Sequence, residues 1–331
     1  MTTVDLSSLC QPSVEYDQEM MSAVIPVYRD AKRALRAAAA LLALEIPAGK
    51  KLEVILVDDG SGDGTAERIA AALPVGARLI DMKGNQGRGG ACNEGAAQAK
   101  GAWLFFTDCD CLPGTENFLL AHWRHFDAGV AASVGPVVGN GKGFWHAFQL
   151  RSATRRAAQH RSGMDCAGST QNLMVRREHF EAIGGFDAAF RAYGFEDRDL
   201  LIRLGKLGRI VWVADAVMEH HDDLNLFNVC GKMREAGAKG SGRYFADSHP
   251  TEYRALGYAA IDARLHPVRG WMARLISPLY KPALTVASAL LERRWLPLSL
   301  RIALARSLNG YSYLLGTAVG LEAGEKRGLR R

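Results

Sequence analysis

The 331-residue chain is 48% hydrophobic and 23% charged, which excludes a disordered protein and suits one large α/β domain with an appendage. Its six cysteines show no paired spacing, which excludes a disulfide framework and indicates reduced thiols in the cytosol. Residues 1–21 carry acidic but no basic residues, so we expect a loose or docked leader there rather than a signal peptide.

In the first third of the chain, apolar segments alternate with helical ones. Apolar runs with β-branched or aromatic residues predict strands at 22–27, 52–59, 77–82 and 102–108. Segments of helical composition follow at 31–45, 64–73 and 91–101. This alternation predicts parallel βαβ units and a doubly wound sheet with helices on both faces. Ligands of such sheets bind beyond the carboxyl ends of the strands, so the polar residues there are candidates for a site.

The pattern is less regular after about residue 130. We predict helices at 144–161 and 196–208, a strand and short helix within 169–186, and a strand within 209–223 that ends in a polar cluster.

The C-terminal tail is the most basic part of the chain. Residues 262–331 contain 12 Lys+Arg and 4 Asp+Glu, which predicts an anionic partner. From about residue 268 the tail is apolar, with tryptophans and arginines, and no stretch of about 18 residues lacks a charge or proline. We therefore expect helices that lie in an anionic membrane interface. The alternative is a helical pair packed on the catalytic domain, whereas nucleic-acid binding is excluded because no recognised motif is present.

Two carboxylates follow the strand at 102–108. Asp108 and Asp110 are one residue apart, so both side chains can face one side of an extended chain. Two acids at a strand end favour a divalent cation, and oxygen ligands favour Mg²⁺ or Mn²⁺. A solvated turn is the alternative. Cys109 and Cys111 alone are too few for a structural zinc site.

Three further segments are candidates for chemistry. The sequence EHHDD (219–223) is either a surface cluster or part of the same metal site. Glu196 and Asp197 begin a predicted helix, where acids either cap the helix or supply a general base. Glycines within 84–90 precede another helix and suit either a phosphate contact or a tight turn, but they match neither the Rossmann nor the P-loop pattern.

These segments, in this order, resemble the family 2 glycosyltransferases over residues 22–225. The matching motifs are PVY (26–28), VDDGSGDGT (57–65), NQGRGGACNEG (85–95), DCD (108–110) and GGFDAAFRAYGFEDRDLLIRL (184–204). Two positions depart from the family pattern: Arg29 replaces the usual Asn, and Cys92 replaces the usual Arg. The YGFED segment is also similar to the W-G-x-E-D segment of β-galactosyltransferases.

The resemblance implies a GT-A fold and inverting transfer of a sugar from a nucleotide-sugar, with a UDP-sugar favoured, to an acceptor hydroxyl. It implies that Asp197 is the general base and Glu196 an acceptor contact. It also implies nucleotide-sugar contacts and metal ligands. The implied nucleotide-sugar contacts are Pro26, Tyr28, Asp59 and Asp108. The implied ligands of Mn²⁺ or Mg²⁺ are Asp110 and His220, with His221 as the alternative to His220.

The resemblance also divides the chain and suggests its partners. We expect a leader (1–21), a catalytic domain (22–225, with a nucleotide-sugar half at 22–112 and an acceptor half at 113–225) and a helical region (226–331). The expected acceptor is a lipid-linked glycan or glycolipid, used in cell-surface polysaccharide synthesis at the cytoplasmic face of the membrane. The alternatives are a sugar-phosphate nucleotidyltransferase, whose usual glycine-rich loop is absent from VIPVYRDAKR, and a membrane-associated partner protein without activity.

Overall fold

The computed structural model describes residues 16–190 and 192–328. The strands are β1 (Asp17–Val27), β2 (Lys51–Asp58), β3 (Ala77–Asp81), β4 (Gly101–Phe106), β5 (Cys111–Pro113), β6 (Val130–Val134), β7 (Val137–Gly139), β8 (Leu173–Arg176), β9 (Arg209–Trp212) and β10 (Met218–His220). Most of the expected leader, residues 1–15, lies outside the described residues.

The helices are described in the same chain order. They are α1 (Ala31–Leu42), α2 (Thr65–Ala71), α3 (Gly87–Gln98), α4 (Phe118–Trp123), α5 (Phe144–Arg161), α6 (Arg177–Ala182), α7 (Glu196–Leu204), α8 (Leu226–Ala238), α9 (Ser241–Ser248), α10 (Pro250–Ala255), α11 (Pro267–Ile276), α12 (Tyr280–Leu291) and α13 (Leu298–Gly328).

The main sheet has seven strands in the order β3-β2-β1-β4-β8-β6-β9. Strand β8 runs antiparallel to both of its neighbours, and the other pairs are parallel. The predicted doubly wound mixed sheet is therefore confirmed. Strand β1 begins five residues earlier than expected, because the backbone N–H of Asp17 donates to Lys100 O at 3.0 Å and extends the pairing with β4.

Helices cover both faces of the main sheet. Helices α1 and α4 pack on one face, while α3, α6 and α7 pack on the other. Helix α3 lies very close to the sheet at Gly95, since a Cβ there would come within 2.4 Å of Val24 and 2.9 Å of Val57. The glycine that ends the third motif is thus required for packing.

The start of helix α3 differs from its prediction at residue 91. The helix begins at Gly87, so the glycine-rich segment forms its first turn instead of a loop before it. Glycine is a poor helix former, which is why the sequence favoured a later start. The start of α3 lies beside the end of β2, because the backbone N–H of Gln86 donates to Asp59 Oδ1.

A second sheet lies beside the carboxyl ends of the main strands, with the order β5-β10-β7. Strand β5 follows directly after Asp110, and it pairs antiparallel with β10 so that Cys111 lies opposite His220. This register brings two segments more than a hundred residues apart in the chain to one point. The segment predicted as one strand over 209–223 is two short strands in different sheets.

The C-terminal region is helical. Helices α8, α11, α12 and α13 share an apolar core with Phe144 of α5, and α13 lies against α8 along much of its length. Within residues 16–190 and 192–328, no helix has the combination of length and apolar character needed to cross a bilayer.

Candidate active site

The first strand ends in a strained turn. Arg29 has φ 58°, a left-handed conformation that Asn adopts more readily than Arg. Its backbone N–H donates to Ser61 Oγ at 2.8 Å, and its guanidinium lies 4.8 Å from the centre of the exposed Tyr28 ring. The family's usual Asn at this position therefore suits the backbone, whereas Arg29 keeps the same turn through its neighbours.

The two aspartates after β2 have different surroundings. Asp58 is buried and accepts hydrogen bonds from the backbone N–H and the hydroxyl of Ser61, so it fixes the turn. Asp59 accepts a hydrogen bond from Gln86 N at 2.7 Å, which ties the strand end to the start of α3. Burial raises the pKa of Asp59 despite the hydrogen bonds from Gln86 and Gly87.

Arg88 is the centre of the site. Its Nε lies 2.6 Å from Asp108 Oδ1, and its Nη1 lies 3.4 Å from Asp197 Oδ1 and 2.5 Å from Thr170 Oγ1. Burial alone would lower the pKa of Arg88, but Asp108 and Asp197 outweigh that effect and hold it well above the ordinary value. One guanidinium thus joins the carboxylate after β4 to the carboxylate at the start of α7.

The sequence prediction missed Arg88, although a signal for it was present. Helix α3 carries Cys92 where the family has arginine, and Arg88 lies four residues earlier on the same helix. Residues i and i+4 of a helix share one face. Arg88 and Cys92 therefore share one face of α3, and Arg88 lies one turn closer to the start of the helix.

Asp197 is held in its ionised form. Its Oδ2 accepts hydrogen bonds from Ser169 Oγ at 3.1 Å and Thr170 N at 3.3 Å, and its Oδ1 accepts one from the Thr170 hydroxyl. Burial raises its pKa, but Arg88 and these hydrogen bonds outweigh burial, so the pKa lies below its ordinary value. Ser169 and Thr170 are further site residues that the sequence did not indicate.

Glu196 has the opposite protonation behaviour. Its Oε2 is buried and has no hydrogen-bond partner among the described residues. Burial and the neighbouring Asp197 raise the pKa of Glu196 to about 7. Two adjacent carboxyl groups therefore differ in charge near neutral pH, because one contacts Arg88 and the other is buried without a cation of its own.

The raised pKa of Glu196 predicts a pH-dependent effect on stability. Its proton stabilises the folded state fully below the ordinary carboxyl pKa, and this contribution is lost as the pH rises through about 7. Glu196→Gln removes the dependence. Compared with wild type, the variant should gain roughly 2–4 °C in Tm between about pH 5 and about pH 8.

Thermal unfolding of both nucleotide-free proteins in EDTA measures this difference across the pH range. Glu45→Gln, a change at an exposed carboxylate outside the site, is the control. Parallel Tm curves for wild type and Glu196→Gln would show that Glu196 has an ordinary pKa.

The packing of the buried Phe195 side chain fixes the start of α7. Phe195 has φ 75°, and Gly194 before it has φ 98°. The Phe195 side chain is buried and stacked on Phe245, with ring centres 4.9 Å apart. Because a bulky residue rarely adopts positive φ, this packing holds the strained backbone in place. It directs Glu196 and Asp197 toward Arg88.

Asp199 has a structural role in the same motif. Its Oδ2 lies 2.6 Å from Arg203 Nη2, and its Oδ1 lies 2.8 Å from His249 Nε2. Arg203 Nη1 also donates to the carbonyl groups of Ile183 and Gly185, both at 2.8 Å. Of the three acids in the EDRD segment (196–199), Glu196 and Asp197 lie in the site. Asp199 instead binds Arg203 and His249 and thereby anchors α7.

Asp110, the second aspartate of the DCD motif, lies beside His220. His220 Nε2 is 3.3 Å from Asp110 Oδ2. Asp110, Cys111 and His220 each offer one ligand atom, and the three atoms lie within 4.8 Å of one another. Burial raises the pKa of the Cys111 thiol well above its ordinary value, so it is a poor ligand for a hard cation. Asp110 and His220 fit Mn²⁺ or Mg²⁺.

The hydrogen bond on the far side of the His220 ring is compatible with a metal. Gln149 Nε2 lies 2.7 Å from His220 Nδ1. An amide can also present its oxygen at the same place, and the oxygen would then accept a hydrogen bond from Nδ1–H. That orientation leaves the lone pair of Nε2 free beside Asp110, which is how carbonyl groups usually support histidine ligands.

The ring of the neighbouring His221 contacts other side chains than that of Asp110. Its Nε2 lies 3.3 Å from Glu219 Oε2 and its Nδ1 lies 2.6 Å from Asn140 Nδ2. Its backbone N–H donates to Asp110 O at 2.7 Å, so it supports the main chain of the DCD motif. Of the two histidines in the EHHDD cluster, His220 is the one whose ring faces Asp110.

Two protein-family models match the chain. The model of glycosyl transferase family 2 matches residues 22–186. A second model, the N-terminal domain of galactosyltransferase, matches residues 156–219, which include the start of α7 and His220.

Individual relatives share between about a quarter and two fifths of their residues with this chain over the aligned segments. The succinoglycan biosynthesis protein ExoO of Rhizobium meliloti is 39% identical over 87 residues, which are 26% of this chain and only 24% of that protein. The N-acetylglucosaminyl-diphospho-decaprenol L-rhamnosyltransferase of Mycobacterium tuberculosis is 27% identical over 256 residues, or 65% of this chain and 81% of that protein.

A solved structure has the same fold. The mannosyltransferase PcManGT from Pyrobaculum calidifontis, in complex with GDP-Man and Mn²⁺, superimposes with a TM-score of 0.59 at 19% identity, covering 94% of this chain and 90% of that one. This likeness shows the GT-A fold. The family models, which match the segments whose motifs gather at one edge of the sheet, show that the chain belongs to the family 2 glycosyltransferases.

Proposed function

We propose that this protein is an inverting glycosyltransferase that moves a sugar from a nucleotide-sugar to an acceptor hydroxyl. The observation that carries the proposal is the contact of Arg88 with both Asp108 and Asp197. Asp108 belongs to the predicted donor side of the site and Asp197 to the predicted acceptor side. A transferase needs both sides within one small site, because the anomeric carbon must meet the attacking oxygen.

On the donor side, Pro26, Tyr28 and Asp59 are proposed to hold the nucleotide, and Asp108 the ribose or donor sugar. The exposed Tyr28 ring and the Asp59 carboxylate both lie at strand ends, which supports this assignment. We propose a UDP-sugar as the donor. The GDP-Man bound in PcManGT supports a nucleotide-sugar in general and makes GDP-sugars the necessary comparison.

The proposed cofactor is Mn²⁺ or Mg²⁺, held by Asp110 and His220. When bound there, the cation would neutralise the diphosphate that leaves during transfer. The Mn²⁺ in the PcManGT complex and the positions of the Asp110 and His220 ligand atoms support this proposal.

On the acceptor side, the proposed chemistry is a single displacement. Asp197 takes the proton of the acceptor hydroxyl, and the oxygen attacks the anomeric carbon from the face opposite the diphosphate. The bond between that carbon and the diphosphate oxygen breaks, and its electron pair leaves with the nucleoside diphosphate. Glu196 contacts the acceptor. An α-linked donor would then give a β-glycoside.

A panel of ligands tests the proposed function. Each UDP- and GDP-sugar is added with Mn²⁺ or with EDTA, and the thermal unfolding of the full chain is followed. A donor present at about 100 times its Kd should stabilise the protein by about 2.7 kcal/mol. No shift with any nucleotide-sugar in the presence of Mn²⁺ would count against the proposal.

We propose that the acceptor is a lipid-linked glycan or glycolipid at the cytoplasmic face of a membrane. The rhamnosyltransferase relative, named for a diphospho-decaprenol acceptor, supports this class. The five described cysteines are free thiols, in keeping with a reducing compartment. A partner protein without activity is the less favoured alternative, because the acidic site residues and His220 are all retained.

The surface of α11 supports membrane contact. Its larger apolar residues lie at i, i+3, i+4, i+7 and i+8. Together with the i+11 residue in the turn Ser277–Leu279 that follows the helix, they form one face, which we call the apolar stripe. The stripe consists of Val268, Trp271, Met272, Leu275, Ile276 and Leu279. Each of these residues is between 52% and 71% exposed, while the small residues Gly270 and Ala273 face the protein interior.

Other exposed residues of the tail have a matching character. Trp295 is 75% exposed, and the basic residues Lys281, Arg293 and Arg294 are exposed on α12 and in the segment after it. Tryptophan and basic side chains around an outward apolar face are typical of helices that lie in an anionic membrane interface. We therefore propose that anionic lipid covers the apolar stripe.

Changing the stripe should weaken membrane binding. The variant Trp271→Glu/Leu275→Glu removes apolar area and adds like charge to an anionic surface, so vesicle binding should fall at least about tenfold. Flotation with vesicles that contain phosphatidylglycerol measures the loss, and high salt should weaken wild-type binding. The control is Val75→Glu, at a fully exposed apolar residue on a distant turn. Equal flotation of the stripe variant and wild type would contradict the proposal.

A further inference from the structure

Four arginines with few protein partners lie beside the acceptor side of the site. We call Arg155, Arg156, Arg198 and Arg306 the arginine cluster. The first two are on α5, Arg198 follows Asp197 on α7, and Arg306 is on α13. Helix α5 itself contains four arginines and no acidic residue. Helix α13 packs against α5, and α5 and α7 both pack on the turn Asp165–Ala167, so three helices that are distant in sequence bring their basic residues into one region.

The arginine cluster has few direct partners among the described residues. Arg155, Arg156 and Arg306 make no ion pair and no hydrogen bond with the described residues, and Arg198 donates only to the carbonyl of Cys166, at 3.3 Å. Burial and the neighbouring Arg198 lower the pKa of Arg156, and burial and Arg306 lower that of Arg155. Guanidinium groups that repel one another in this way are stabilised by a bound anion.

The position of the cluster indicates the substrate side to which it belongs. Arg198 follows Asp197 directly in α7 and donates to Cys166 O, and α5, which carries Arg156, packs on the same turn (Asp165–Ala167), so the cluster lies beside the proposed base. The exposed Tyr193 ring also lies 5.6 Å from Lys232 Nζ of α8. The donor diphosphate, in contrast, is proposed to lie at Asp110 and His220, in the small sheet beside the other end of the site.

The cluster is also connected to the proposed membrane surface. Helix α13 carries Arg306 and packs against both α5 and α11. The Arg301 guanidinium lies 5.9 Å from the Phe144 ring of α5, and Tyr311 donates to Ala273 O of α11 at 2.7 Å. The helix that bears the apolar stripe is therefore fastened to the helix that supplies one arginine of the cluster.

We propose that the arginine cluster binds the phosphate or diphosphate of the acceptor, which joins a membrane-embedded lipid to the sugar that is glycosylated. This inference deepens the proposed function and rests on it. The planar guanidinium group matches phosphate oxygens in a bidentate manner. A group between lipid and sugar would have to reach from the apolar stripe to Asp197. Arg198 is next to Asp197 in the chain, and α13, which carries Arg306, packs against both α5 and the stripe-bearing α11.

The test uses binding to the full chain, without turnover. Farnesyl diphosphate is the probe for a lipid diphosphate, and farnesol and inorganic pyrophosphate are its two halves. Wild type should bind farnesyl diphosphate more tightly than either half. Arg155→Gln/Arg306→Gln should weaken that binding by at least about tenfold, as expected when charge-assisted contacts to phosphate are lost. The matched control is Arg161→Gln, at an exposed arginine of the same helix.

A second measurement separates the acceptor from the donor. The double variant should bind UDP or GDP with Mn²⁺ within about twofold of wild type, because the donor site is elsewhere. An equal loss of nucleotide binding would assign the cluster to the donor diphosphate and overturn the inference. Unchanged binding of farnesyl diphosphate would overturn it too, whether or not nucleotide binds.

Vesicles distinguish a lipid headgroup from a substrate phosphate. Flotation of the double variant with phosphatidylglycerol vesicles should be close to that of wild type, since the apolar stripe is intact. If flotation is lost while farnesyl diphosphate still binds, the cluster contacts headgroups, and the assignment to the acceptor is wrong. If nucleotide fails to bind to wild type while farnesyl diphosphate binds, the proposed function fails independently of the cluster.

Discussion

Replacing Asp197 with asparagine is expected to lower glycosyl transfer by about 10²- to 10⁴-fold, which is the usual contribution of a general base. Asparagine keeps the shape of the side chain and an oxygen that accepts the hydrogen bonds from Thr170 and Ser169. It cannot take the acceptor proton. Donor binding should change little, because the nucleotide contacts are proposed at the strand ends. Turnover and nucleotide affinity are measured on the same folded preparation.

Glu196→Gln is the matched comparison for Asp197→Asn. It should weaken the acceptor more than the donor, with a higher acceptor KM and a smaller loss of kcat. The alternative follows from the pKa of Glu196 near 7 and its unpartnered Oε2. If Glu196→Gln loses transfer while Asp197→Asn retains it, the two carboxylates have exchanged the proposed roles.

Removing Asp110 or His220 should abolish the effect of the cation on nucleotide binding. In wild type, Mn²⁺ is expected to raise UDP or GDP affinity, because a cation held by Asp110 and His220 would neutralise the diphosphate. In Asp110→Asn or His220→Asn, the affinity measured with Mn²⁺ should fall by about 10- to 100-fold toward the value in EDTA. Calorimetry of wild type and both variants, with Mn²⁺ and with EDTA, measures these affinities.

His221→Asn is the control for the cation site. His221 is next in sequence to His220, but its ring lies against Glu219 and Asn140. The variant should keep most of the gain in affinity from Mn²⁺. Equal nucleotide affinity in wild type with EDTA and with Mn²⁺ would contradict the cation site altogether.

Much of the fold was predictable because it depends on local patterns. The apolar runs that form β1, β2 and β4 are long and bounded by polar residues, so their period was clear. The helices between them have standard lengths. The start of α3 was not predictable in this way, because the glycines of its first turn oppose helix formation and only the packing of α3 on the sheet overrides them.

The site was predictable where motifs mark it and hidden where partners are distant in sequence. The DCD and EDRD segments stand out as acids at element ends, whereas Thr170 and Gln149 are ordinary polar residues until the fold places them beside Asp197 and His220. The pairing of β5 with β10 depends on contacts across about a hundred residues. No local pattern specifies such a register.

For the C-terminal tail, the sequence did not determine which helical faces are exposed. Composition alone indicated an apolar, basic segment, but it could not tell an outward apolar face from a buried one. The structure places the stripe of α11 outward and buries Leu284 and Leu291 of α12. The helices of the tail therefore pack on one another, and one of them presents an exposed apolar face, whose contact with a membrane stays a prediction.

The most direct test of the account is the nucleotide released from nucleotide-sugars. The full chain is incubated with a UDP- or GDP-sugar, Mn²⁺ and a lipid extract as acceptor source, and the nucleotides are separated by chromatography. The account predicts that wild type releases the nucleoside diphosphate and that Asp110→Asn and Asp197→Asn release it at least about 100-fold more slowly. Formation of a nucleoside triphosphate when pyrophosphate is added would instead show a nucleotidyltransferase. Release at wild-type rates by both variants would contradict the assigned site.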